Sequence, residues 1–215
     1  AVFRDSKAKS IDVSSFDTSN VTNMNSMFYY SAATEIKGLE NFDTSKVTNM
    51  SSMFQGSKAT SLDLSSFDTS NVTDMSYMFM YSLATEIKGL KNFNTSKVTD
   101  MKWMFSSSQA TSLDLSNFNT SNVTDMECMF NYSQATSLDV SSFDTSKVTN
   151  MNSMFSGSAA TTLDLSSFDT SNVTDMKRMF EESKATTGYA RTQEDANRLN
   201  DSLFKPSALT FVVKS

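Results

Sequence analysis

The sequence has no histidine and one cysteine, Cys128, in 215 residues. That excludes a disulfide framework, a zinc site of the usual Cys/His kind and any Ser-His or Cys-His catalytic pair. Catalysis would then fall to a carboxylate pair in a pocket, so the chain reads as not an enzyme, with no catalytic residue, cofactor or metal site assigned. Glycine (5) and proline (1) are too scarce for a loop-rich fold, and an apolar fraction of 38% is lean for ordinary domains. No apolar run approaches the roughly 18 residues of a membrane span, so no membrane insertion is expected. The opening "AVFRDSKAKS" lacks the basic-then-apolar pattern of a signal peptide, and the chain reads as a segment of something larger. Net charge is -6 and the basic residues are scattered, which leaves no electrostatic footprint for nucleic acid.

What the sequence has is repetition. The stretch "LDLSSFDTSNVTDMSYMF" at 62–79 nearly recurs as "LDLSSFDTSNVTDMKRMF" at 163–180. Phenylalanine closes each copy at Phe3, Phe28, Phe54, Phe79, Phe105, Phe130, Phe155 and Phe180, with spacings of 25 or 26 residues. A fixed period of this length signals a solenoid, here of about seven coils. The two 26-residue coils replace "SLDLSSF" by "EIKGLENF" (35–42) and "EIKGLKNF" (86–93), and the extra Gly38 or Gly89 inside a strand-like run predicts a bulge.

Within a coil the apolar period changes. Leu62 and Leu64 alternate with Ser61, Asp63 and Ser65, the pattern of a short half-buried strand. "DTSN" follows, whose Asp68 and Ser70 suit a helix start, and Val72, Met75, Met78 and Phe79 then recur at a spacing that predicts a short helix. Ser57 and Ala59 stand in columns that read Ser and Ala in every copy. They imply a tight inner corner and a serine hydroxyl ladder between coils, because a buried hydroxyl needs a partner.

"FDTSNVTDM..MF" joined to "LDLSSFDTS" resembles the roughly 25-residue repeat of mycoplasma lipoproteins and Gram-positive cell-surface proteins, grouped with the BspA-like leucine-rich repeats. The segment 188–215, with its "KPSALTFVV", is similar to the one that ends such arrays. The resemblance implies a right-handed, leucine-rich-repeat-like α/β solenoid, one short parallel strand and one short helix per coil, over 1–187, with an α/β cap over 188–215. It also implies extracellular display on a bacterial cell surface, an anchored larger protein, adhesion, and no catalytic residues. This chain has serine where many relatives have cysteine and alanine where many have leucine, which implies a narrower inner corner. Read from its own residues, the tail also looks like a cap. Thr192 caps a helix from 193 to about 203, with Asp195 approximating a capping box, and 209–213 forms a closing strand after Pro206.

Candidate sites are columns along the stack. Asp114, Asp139 and Asp164 are adjacent carboxylates that could hold Ca²⁺, but a stable site wants six or more oxygen ligands, and solvated side chains are the preferred reading. The column Asp17, Asp43, Asp68, Asn94, Asn119, Asp144 and Asp169 fits turn and cap chemistry. Tyr30, Tyr81 and Tyr132 fall in one column on every second coil, with Trp103 nearby in register. They form either a contact surface or rings laid on the solenoid flank. The Asn-Val-Thr triplets match a glycosylation acceptor but belong to the repeat itself. A stacked column, Thr34, Thr60, Thr85, Thr111, Thr136 and Thr161, invites an ice-binding reading, against which stand the charged strand positions beside it. The expectation is a monomeric, non-catalytic scaffold whose partner is a surface protein or glycan of a host or neighbouring cell. The alternatives are an ice-binding solenoid and a structural spacer.

Overall fold

The structure, a computed structural model, describes residues 2–214; positions 1 and 215, the outer ends of the two expected segments, lie outside it. Eight short strands recur once per coil: β1 (Ser10–Asp12), β2 (Glu35–Lys37), β3 (Ser61–Asp63), β4 (Glu86–Lys88), β5 (Ser112–Leu113), β6 (Ser137–Leu138), β7 (Thr162–Leu165) and β8 (Thr187–Ala190). They pair in parallel with a shift of one repeat, β1 with β2, β3 with β4, β5 with β6 and β7 with β8, so that Ile11 lies opposite Ile36 and Leu62 opposite Ile87. Single parallel bridges, such as Asn49 to Asp74 and Asp74 to Asp100, continue from coil to coil, so identical columns stack on one another. The result is a parallel β-solenoid.

The core is a set of side-chain columns. Phe28, Phe54, Phe79, Phe105, Phe130, Phe155 and Phe180 are fully buried. Their rings stack nearly parallel, as between Phe54 and Phe79 at 5.9 Å and 2°. A second stack runs through Phe118, Phe143 and Phe168 at 6.3–6.4 Å. Aromatic stacks and buried methionines supply by repetition the apolar contact that a lean composition withholds from any single coil.

The expected short helix is absent from the coils. Residues 72–82 instead form successive turns in which alternate amides leave the coil. Met75 N–H, Tyr77 N–H and Phe79 N–H donate to Asp100 O, Lys102 O and Met104 O, while Met78 N–H and Met80 N–H donate locally to Met75 O and Tyr77 O. Tyr77 and Tyr81 have φ of 59° and 57°, which no right-handed helix accommodates. Apolar residues three and four apart suit i→i+3 turns as well as a helix, and the neighbouring coil claims the amides that helical bonds would need. Asp68 does take the Ser70 N–H at 2.9 Å, but the turn it closes leads into no helix.

Two other expectations are corrected. Gly38 and Gly89 form no bulge: β2 and β4 keep unbroken register with β1 and β3, and each glycine follows its strand with φ near +89° and +88°. The additional residue is absorbed in a 3₁₀ turn, Leu39–Asn41 or Leu90–Asn92. A Cβ at Gly38 would lie 2.3 Å from Ser14 N, so both the conformation and the close backbone approach demand glycine. The serine column, in turn, makes no ladder between coils. Ser57 Oγ accepts from Ala59 N–H of its own coil at 3.3 Å, and it is backbone bonds such as Leu83 N–H to Ser57 O that cross to the next coil.

The hydroxyl ladder exists in another column. Buried Thr120 Oγ1 donates to Asp144 O at 2.8 Å and accepts from Asp144 N–H at 2.8 Å, and Thr145 repeats the pair with Asp169. At the end of the array this ladder meets the cap. Helix α1 (Gln193–Asn200) starts from Thr192, whose Oγ1 accepts from Asp195 N–H. The helix stops short of the expected 203, and the Asp195 carboxylate does not return to the Thr192 amide as a capping box would. It turns to the last coil, accepting from Thr170 N–H at 3.0 Å and Thr170 Oγ1 at 2.7 Å. Asp195 thus stands where the next coil's peptide would be. Strand β9 (Thr210–Val213) pairs in parallel with β8 and places Phe211 against Phe180.

Candidate functional site

Three exposed tyrosines of the repeat lie on one flank, in the column Asp5, Tyr30, Gly56, Tyr81, Ser107, Tyr132, Gly157 and Glu182. Every member has a left-handed backbone, with φ between 47° and 64°. For non-glycine residues this conformation costs about 1–2 kcal/mol, and the neighbouring coil holds it in place. Tyr30 N–H, Tyr81 N–H and Tyr132 N–H donate to Gln55 O, Ser106 O and Ser156 O, respectively, at 2.7–2.9 Å.

The column alternates large and small, and the alternation is steric. A Cβ at Gly56 would come within 2.7 Å of the Tyr30 ring, and one at Gly157 within 2.4 Å of the Tyr132 ring. Each of these tyrosines therefore lies across the small residue of the following coil. Tyr132 reaches further: its hydroxyl donates to Glu182 Oε2 at 2.7 Å, two coils on, and this bond is the main reason its pKa is raised. The rings stay 44–46% exposed, as does Leu83 at 46%. Tyr30 and Tyr81 bound an open trough of about 410 Å³ with Gly56, Lys58, Leu83, Ser107 and Gln109.

Trp103 belongs to a different column, four residues earlier, where its half-buried ring stacks on Tyr77 at 6.3 Å and 12°. Cys128 follows it in that column and is buried, its thiol pushed up to about 12 chiefly by desolvation. It is an inert packing group.

The aspartate column is occupied with its own turns. Asp114 Oδ1 accepts from Ser116 N–H and Oγ, and Asp139 Oδ1 from Ser141 N–H and Oγ, bonds that lower both pKa values. Burial raises the pKa of Asp164, but bonds from Lys214 Nζ at 2.6 Å and from Ser166 outweigh it and leave the carboxyl lowered. Among the described residues no three His, Cys, Asp or Glu side chains converge as a metal site would require. The Thr34 to Thr161 column is exposed, but the strand positions beside it carry ion pairs, Lys37–Glu35 and Lys88–Glu86.

Two regular surface features escaped the sequence reading. Thr22, Thr48, Thr73, Thr99, Thr124, Thr149 and Thr174 form a second exposed threonine ladder, in which Thr48 N–H and Thr73 N–H donate to Thr22 O and Thr48 O at 2.9 Å. Beside it lysine and asparagine alternate. Lys97 Nζ donates to Asn71 Oδ1 at 2.7 Å, while Asn71 Nδ2 donates to Ser45 O at 2.8 Å. The small partners of the tyrosines were also missed, although the sequence carries their signal: Gly56, Ser107 and Gly157 sit one repeat after each tyrosine.

Among the described residues no helix is long and apolar enough to cross a membrane. The fold and this flank define a repeat solenoid that presents ordered surface columns. The chain belongs to a family described as Mycoplasma protein of unknown function, DUF285, whose model matches residues 1–112 and again 80–192. No curated protein and no solved structure matches it.

Proposed function

We propose that this solenoid is a non-catalytic interaction scaffold displayed at a bacterial cell surface, and that its contact surface is the tyrosine flank. The observation that carries the reading is the seating of Tyr30 and Tyr132 on glycine, with Tyr81 before Ser107 in the same column. The Tyr30 and Tyr132 rings are held on one side by the following coil, and all three tyrosines are open to solvent. Apolar area held rigidly at a surface loses little entropy when a partner covers it. Surface display and adhesion are further supported by the resemblance of the repeat to BspA-like leucine-rich-repeat surface proteins. The flank is where variation enters a fixed frame.

The test is a screen of immobilised extracellular-matrix proteins and glycans with the wild-type chain and with Tyr81→Ala/Tyr132→Ala. Retention of the wild type that the double variant loses, at an unchanged fold, supports the reading. Equal retention of both moves the contact elsewhere. Inhibition of ice recrystallisation without retention favours the threonine ladders, and neither activity leaves a structural spacer.

A further inference from the structure

Resting on the tyrosine flank as contact surface, we propose that its ligand is a neutral, linear β-1,4-linked glycan lying along the stacking axis. Three features of the flank select that chemistry. The Tyr30 and Tyr132 rings lie across glycines rather than around a pocket: Tyr132 crosses Gly157 and ends at Glu182, so its long direction follows the axis. Protein partners are anchored by side chains entering desolvated pockets, and this trough offers none of that depth. An aromatic face open to solvent instead suits the C–H face of a pyranose ring.

The spacing is the second feature. Tyr30, Tyr81 and Tyr132 are each separated by two coils, about 10 Å at about 4.8 Å per parallel strand. A β-1,4-linked chain turns alternate sugars over and presents the same face once per disaccharide, a repeat of similar length. Several weak stacking contacts held in one rigid row then act together, because each bound sugar raises the effective concentration of the next.

The third is charge. From Tyr81 onward the outward positions Leu83, Ser107, Gln109, Tyr132 and Gln134 are uncharged. The amide Nε2 of Gln109 donates to Ser107 O at 3.5 Å and that of Gln134 to Tyr132 O at 3.2 Å. Among the described residues neither amide oxygen accepts a hydrogen bond, which leaves both as acceptors for sugar hydroxyls beside the rings. An anionic polysaccharide would meet Lys58 one coil before this stretch and the Glu182 carboxylate at its far end.

Isothermal titration with cellohexaose and with chitohexaose tests the proposal, and the two probes separate a glucan from an amino-sugar chain. Binding of at least one hexasaccharide is expected, at least about tenfold tighter than its disaccharide. Tyr81→Ala should weaken it by about tenfold or more, the value of one stacking contact, and Tyr81→Phe should retain it. A melting transition close to wild type certifies each variant as folded. Absence of hexasaccharide binding overturns the glycan assignment, as does binding unchanged in Tyr81→Ala or matched by polygalacturonate. The broader reading is judged separately on matrix proteins: capture lost in Tyr81→Ala/Tyr132→Ala keeps the flank as contact surface with a protein ligand, whereas capture unaffected by it overturns both.

Discussion

The Tyr132 hydroxyl donates to the Glu182 carboxylate at 2.7 Å across two coils, and its ring passes over Gly157 of the coil between them. One side chain therefore ties three successive coils at the surface. Replacing Gly157 by valine forces a β-branched residue into φ +63° and drives a methyl group into that ring. The expected loss is about 2 kcal/mol or more in denaturant melts, with Tyr132 displaced. Gly157→Ala should lose less, because the atoms it meets belong to a half-exposed ring. Gly38→Ala should lose more, because it meets the Ser14 backbone.

The buried threonine ladder should be the most sensitive polar feature. Thr120→Val keeps the shape but orphans Asp144 N–H and removes a donor from Asp144 O. A loss of about 1–3 kcal/mol is expected, against about 0.5 kcal/mol or less for Thr124→Val on the exposed ladder. Equal losses in paired urea titrations would contradict the role given to Thr120.

Core substitution should act by position along the stack. Phe105 is fully buried in the middle, so Phe105→Ala should cost about 3–5 kcal/mol, whereas partly buried Phe3, at one end, should cost much less on the same change.

The junction with the cap is sensitive to acid. Asp169 is lowered to about 2, first by its bonds from Ser171 and then by Arg191, whose Nη1 donates to it at 2.8 Å. Its folded pKa lies below the ordinary value of 3.8, so the stabilisation is fully present above about pH 4 and is lost as pH falls through about 2. Asp195, buried against Thr170, is also lowered: burial raises its pKa, but bonds from Thr192, Thr170 and Arg191 outweigh that. Both groups add stability in the same direction. Hydrogen exchange measured from pH 5 to pH 2 should show α1 and β9 losing protection before the middle coils. Arg191→Met should move the onset to higher pH.

The legible parts of the fold were those set by single-residue columns. Phe28 to Phe180 gave the period, Leu62 and Leu64 the strand, and Thr192 the start of the last helix. The coil helix misled because Val72, Met75, Met78 and Phe79 have the same spacing in successive turns, and what separates the two is where the amides go. Tyr77 N–H reaches Lys102 O of another coil, a bond between residues 25 apart that no local pattern reveals. Ser57 and Thr69 are both buried small hydroxyls, but only the threonine column spans coils, a choice made by backbone geometry. The tyrosine column was readable; the side on which its rings lie was not, because that depends on Gly56 and Gly157 in the following coil.

The measurement that bears most directly on the tyrosine flank is amide chemical-shift mapping of the labelled chain titrated with a ligand retained in the binding screen. Perturbations should concentrate at Tyr30, Gly56, Tyr81, Ser107, Tyr132 and their immediate neighbours, running as one line across the coils. Perturbations centred instead on Asp114, Asp139 and Asp164, or on Trp103, with the tyrosine column unchanged, would contradict it.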